Sequence, residues 1–214
     1  MKKILGAILA MSVGFAAFAD GISNNVGLGL AVPLTTISID EEDFDDAKQQ
    51  TGFAFNAAYL GVLDNGIALK ADILLGVGTS KDLGMDSDDA QAGFLAGFDI
   101  GAGYAFINDE KFTLAATGVF GIDFDVYKFT EDVGGVDVDI DYTIFDINLG
   151  ADVTGIYRFT EKVGLYADLG FRWIPAGNVA VKAEADGLGT VVDDDYKING
   201  KFTFLPAIGV ALSF

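Results

Sequence analysis

Residues 202–214 read FTFLPAIGVALSF. Pro206, Ile208, Val210, Leu212 and Phe214 occupy every second place, and Ala207, Gly209, Ala211 and Ser213 lie between them. Alternation of large apolar with small residues is the pattern of a strand whose two faces meet different surroundings. A strand packed in a soluble core gives no reason for one face to be so small. A strand with hydrocarbon on one side and a crowded interior on the other does.

The same period of two recurs upstream seven times. It runs through 26–34, 53–59, 67–77, 94–106, 112–124, 145–159 and 163–173, so that the terminal segment makes an eighth strand. The connections alternate between long and short. LDNG at 63–66, INDEK at 107–111 and TEK at 160–162 are tight, and Asp64-Asn65-Gly66 suits the positive-φ positions of a hairpin. Stretches at about 36–50, 79–91, 129–141 and 175–199 are longer and polar. Eight up-and-down antiparallel strands, with short turns at one end and long loops at the other, form the layout of an all-β transmembrane barrel.

Aromatic spacing agrees with a span. On the apolar face Phe94 precedes Tyr104 by ten residues, Phe112 precedes Phe124 by twelve, Phe145 precedes Tyr157 by twelve, and Phe204 precedes Phe214 by ten. Ten to twelve tilted residues climb about 25–30 Å, the height of an outer-membrane apolar band. These residues, with Trp173, are the expected aromatic girdles.

The N-terminus, MKKILGAILAMSVGFAAFAD, has two lysines, an apolar stretch over 4–15, and Ala17-Phe18-Ala19 before Asp20. That is the order of a Sec signal peptide over 1–19, which leaves 195 of the 214 residues as one barrel domain over 20–214. The formal charge of −19 becomes −21 once Lys2 and Lys3 are removed. Such acidity argues against nucleic acid as a partner. Cysteine is absent, so neither disulfides nor thiolate sites arise. High glycine (28) with 18 Phe and 7 Tyr fits a crowded β-structure rather than an acidic disordered chain.

In this pattern the mature chain resembles the small eight-stranded outer-membrane barrels of the OmpA-barrel, OmpX and OmpW type. The resemblance implies periplasmic turns and termini, extracellular acidic loops, and location in the outer membrane among its lipid. It also implies that Ile208, Val210, Leu212 and Phe214 serve as the signal offered to the barrel assembly machinery. With Phe214 as its end, the chain is expected to carry no cell-wall-binding domain.

If the apolar face points outward, the other face carries Asn56, Lys70, Asp72, Asp99, Thr113, Thr117, Asp123, Asn148, Asp152, Thr154, Arg158, Asp168, Arg172, Lys201 and Thr203. An eight-stranded barrel is just wide enough for side chains to fill. Charges there must pair, so a network of Lys70, Asp72, Asp99, Asp152, Arg158, Asp168, Arg172 and Lys201 is expected. Four aspartates near mid-height, 72, 99, 152 and 168, stand against Lys70 and Arg172. That surplus leaves open a rigid plug of ion pairs in which some aspartates are protonated through like-charge repulsion, or waters and a small cation among them and with these a narrow cation-preferring path.

The long loops are acidic. The first contains Asp40, Glu41, Glu42 and Asp43, weak candidates for a divalent cation, and none of the four follows a calcium-loop pattern. Segment 178–198 alternates on both sides of DGLG, which predicts a hairpin that carries the last two strands beyond the membrane. GLG, GAG and GVG lie within strands and open no helix, so they are no phosphate loops, and no cofactor is implied.

Histidine is absent. The outer-membrane barrel enzymes that the resemblance brings in use histidine, and none of their mechanisms transfers. The expectation is therefore a non-enzymatic surface barrel. It would support envelope integrity and present acidic loops to cations or to an extracellular ligand, host or matrix. The alternatives are a small OmpW-like pore or transport barrel and, third, a soluble lipocalin-like periplasmic binder. Mass spectrometry of the protein from outer-membrane fractions should give a chain that starts at Asp20.

Overall fold

The computed structural model describes residues 22–39, 48–80, 91–132, 134–185 and 189–214. The expected signal peptide lies outside the described residues, as do most of the first two loops. Nine strands are described: β1 (Ile22–Ala31), β2 (Leu34–Ile39), β3 (Lys48–Leu63), β4 (Ile67–Ser80), β5 (Gln91–Asn108), β6 (Phe112–Asp132), β7 (Asp137–Arg158), β8 (Val163–Ala185) and β9 (Gly189–Ser213). Every pairing between them is antiparallel. The sheet closes because β1 and β2 both lie between β3 and β9. β1 and β2 are thus one barrel strand cut at Val32-Pro33, and the ring has eight positions. Proline has no N–H for the ladder. The expected unbroken strand over 26–34 is corrected at this point.

Closure brings the two ends of the chain together. Phe214 N–H donates to Asn24 O at 3.0 Å, and Ser213 pairs with Asn25. The three tight turns lie at the same end. At the first, Gly66 has φ +84° and its N–H donates to Leu63 O at 2.8 Å. At the second, Asp109 Oδ1 accepts from the N–H groups of Phe112 (2.7 Å) and Lys111 (2.9 Å). Those bonds favour the ionised carboxylate and hold Asp109 below the usual carboxylate range. At the third, Thr160 Oγ1 accepts from Val163 N–H at 3.0 Å.

The outer wall is apolar where the alternation requires it. Ile208, Val210, Leu212 and Phe214 are exposed, as are Phe94, Phe98, Phe120, Phe145, Leu165 and Trp173. A lipocalin-like soluble barrel needs the reverse, a polar outside and an apolar inside. Registers set girdle residues side by side: Phe112 opposite Tyr157 near the turns, Phe124 opposite Phe145 and Phe171 opposite Phe204 towards the other end.

Beyond the wall, strands continue where a loop was expected at 129–141. β6 and β7 pair through Asp132↔Asp137, which leaves only 133–136 as connection. β8 and β9 pair up to Ala185↔Gly189, in agreement with the hairpin expected there. Together β6–β9 form a four-stranded sheet that stands on the order of 30 Å above Lys201, at about 3.3 Å per residue and a tilt near 40°.

Small residues inside the wall make room for large ones. A Cβ at Gly27 would lie 2.8 Å from Tyr166 Cγ, and Tyr166 is fully buried in the lumen. Gly118 points outward, and a Cβ there would meet nothing closer than 3.9 Å. Gly27→Val should therefore cost about 1–3 kcal/mol by overpacking, and Gly118→Ala should leave stability unchanged or slightly raised. Urea unfolding midpoints in detergent measure both.

Candidate functional site: the charged lumen and the sheet above it

The lumen is layered. Nearest the turns, Arg158 is bound by neutral groups: Ser213 Oγ (2.8 Å), Asn25 Oδ1 (2.7 Å), Thr113 Oγ1 (2.9 Å) and Asp109 O (3.0 Å). The expected place of Arg158 within the charged network is corrected. It lies one layer away and forms no carboxylate pair among the described residues. An apolar layer follows, built around Leu60, Val62, Ile156 and Tyr166.

Above it lie the mid-height charges. Lys70 Nζ is 2.5 Å from Asp152, 2.8 Å from Asp168 and 3.1 Å from Asp72. Arg172 donates to Asp99 through Nε (3.0 Å) and Nη2 (2.8 Å), and it also pairs with Asp152. Asp152 therefore bridges the two cations. Thr154 Oγ1 donates to Asp168 Oδ1 at 2.5 Å. All these charged residues are at least nine-tenths buried. Desolvation on this scale is tolerable only with partners at hydrogen-bond distance.

A second cluster lies closer to the outer end. Lys201 Nζ is 2.6 Å from Asp146 and 3.1 Å from Asp125, and Asn148 Nδ2 donates to Asp123 Oδ2 at 3.0 Å. Neither Asp125 nor Asp146 was among the expected network. The alternation carried the signal, because Asp125 is two places after Asp123 and Asp146 two before Asn148.

The uppermost layer is apolar. Ile37, Leu95, Tyr127, Ile140, Tyr142, Ile144, Val179, Val181, Ala183 and Ile198 form a second buried cluster, which continues up the inner face of the protruding sheet. The opposite face is polar. One row reads Lys128, Asp141, Lys182, Asp193 across the four strands, with alternating sign. Lys128 pairs with Asp141, and Lys182 lies 2.5 Å from Glu184, whose carboxylate raises the Lys182 pKa. The weak cation candidates Asp40, Glu41, Glu42 and Asp43 lie outside the described residues. Among the described residues no group of three or more carboxylates is placed to hold a metal ion.

No family model matches the chain, and no curated protein matches it. Solved structures do. Neisserial surface protein A is 16% identical with a TM-score of 0.54, over 91% of this chain and 100% of that one. The outer membrane protein OprG from Pseudomonas aeruginosa is 11% identical with a TM-score of 0.55, over 91% and 96%. A major outer membrane protein from Thermus thermophilus is 12% identical with a TM-score of 0.56, over 87% and 99%. The fold is that of the small outer-membrane β-barrels. At these identities the likeness is one of architecture, and it agrees with the barrel expected from period two.

Lys70→Met would leave three buried carboxylates without their shared cation. It should cost about 3–5 kcal/mol, part of which Asp168→Asn in the same chain should restore. Lys128→Met, on the exposed face, should change stability by at most about 1 kcal/mol. Equilibrium unfolding followed by Trp173 fluorescence measures all three variants.

Proposed function

We propose that this chain is a non-enzymatic outer-membrane barrel that presents its protruding sheet and acidic loops at the cell surface. The observation that carries this reading is the build of the molecule: a lumen filled by two charged clusters between apolar layers, beneath a sheet raised well clear of the wall. A filled lumen favours a rigid pedestal over a wide channel. The lack of histidine and cysteine leaves carboxylates, hydroxyls and amines for chemistry, and six of the seven described lumen aspartates, Asp123 apart, have a lysine or arginine partner.

The contacts proposed for the outer end follow from its charge. Asp193, Asp194 and Asp195 on β9, and Asp137, Asp139 and Asp141 on β7, give it a negative field. Divalent cations, which bridge carboxylates to surface phosphates, and basic groups of an extracellular ligand suit such a field. The chain would arrive by Sec export and by recognition of Ile208, Val210, Leu212 and Phe214 by the barrel assembly machinery.

One observation favours the rival, a narrow cation-preferring pore. A lumen cavity of about 40 Å³ is lined by Asp72, Asp99, Asp123 and Asp125. Two measurements decide. In planar bilayers the mature protein should insert without unitary current. Reproducible cation-selective openings, reduced by Asp99→Asn or Asp152→Asn, would make it a pore. On intact cells Thr190→Cys, the single cysteine in the chain, should react with a membrane-impermeant maleimide. A Thr190→Cys thiol that reacts only after lysis would remove the surface reading.

A further inference from the structure

The two charged clusters do not balance. Seven aspartates (72, 99, 123, 125, 146, 152 and 168) face three cations, Lys70, Arg172 and Lys201. The register sharpens the surplus. Asp72 stands directly opposite Asp99 on β4 and β5, and Asp123 directly opposite Asp146 on β6 and β7. Like charges in directly opposed positions destabilise a sheet, and Asp72, Asp99 and Asp146 are buried while Asp123 is half-buried.

The side-chain oxygens show the same shortage of donors. Asp99 Oδ1, Asp72 Oδ1, Asp146 Oδ1 and Asn148 Oδ1 are buried and receive no hydrogen bond from the protein, and Asp72 Oδ2 has only its 3.1 Å ion pair with Lys70. Asp72 and Asp99 are 4% and 6% exposed, and both line the 40 Å³ cavity together with Asp123 and Asp125. Thr35, Gln50 and Thr203 add polar wall to it. At roughly 10–15 Å³ for each water-sized occupant, such a cavity has room for about three.

We propose that this cavity is a binding site for one small monovalent cation with one or two of its waters. A proton on one carboxyl would relieve one cross-strand pair. A cation in the cavity is near Asp72, Asp99, Asp123 and Asp125, which all line it, and it lowers the energy of both groups at once. A divalent ion fits less well. No three carboxylates among the described residues converge to hold a metal ion of any charge, so the ion keeps waters in its shell and rests on at most two carboxylates, and magnesium gives up its water reluctantly. The site does not depend on whether the barrel conducts or displays.

The test is equilibrium urea unfolding of the detergent-solubilised mature protein at pH 8, with sodium chloride replaced by choline chloride at constant ionic strength. One ion bound only by the folded state should multiply the folded-to-unfolded ratio up to tenfold for each tenfold rise in sodium above its dissociation constant. Asp99→Asn or Asp72→Asn should cut that response to less than twofold. Asp139→Asn, on the outer face of the sheet, should keep it in full. Superimposed curves in sodium and choline would overturn the proposal, as would a ratio that follows pH but not sodium, which assigns the surplus to protons. A full sodium response retained in both Asp99→Asn and Asp72→Asn would place the ion elsewhere and also overturn it. Should Asp99→Asn fail to fold, the wild-type comparison and Asp123→Asn carry the same decision.

Discussion

A strand in hydrocarbon has no water to bond its N–H and C=O groups, so each must find a partner on a neighbouring strand. The fold follows from that demand. Eight strand positions close on themselves through Asn25↔Ser213 and Ala31↔Ala207, and no edge is left within the wall. Even the break at Val32-Pro33 keeps its bonds: Val32 N–H donates to Pro206 O at 3.0 Å, and Pro33 O accepts from Gly52 N–H at 3.2 Å. Proline is tolerated because its neighbours hold the ladder together around it.

Closure at eight strands then sets the interior. The interior of an eight-stranded ring is just wide enough for side chains to fill. Tyr166, with its hydroxyl donating to Asn56 Oδ1 at 2.8 Å, takes the space that Gly27 leaves free. Asp99 is admitted by Gly121, where a Cβ would lie 1.8 Å from its Oδ1. Glycines of the lumen and the charged side chains are thus parts of one packing solution. Ion pairs in this position give specificity of arrangement more than net stability, because desolvation offsets much of their attraction.

Most of this was legible in the sequence, because a two-residue period with lipid outside leaves little freedom. Exposed Ile208, Val210 and Leu212 and buried Ala207, Ala211 and Ser213 follow directly from their places in the alternation. Lys70, Asp72, Asp99, Asp152, Asp168 and Arg172 could be grouped by counting up from the turns. What was not legible depends on breaks in the period. Around Pro175 the buried face of β8 changes from Ile174 to Val179 and Val181, and the ladder shifts between Ile147 and Leu149. Alternation carried through such an irregularity assigns the wrong face, so the apolar cluster of the protruding sheet went unseen. Arg158 was misplaced for a different reason: charge alone does not say that neutral oxygens from four separate residues would meet it.

The bond that closes the ring joins residues far apart in the chain. Ser213 Oγ donates to Asn25 Oδ1 across 188 positions. Hairpins can form locally and early, but each offers a bare edge and a greasy face until the last strand meets the first. Until that pairing forms, the chain has its most aggregation-prone surfaces uncovered. The hazard in its life is a matter of timing, and the acidic charge it carries through that interval keeps such intermediates apart.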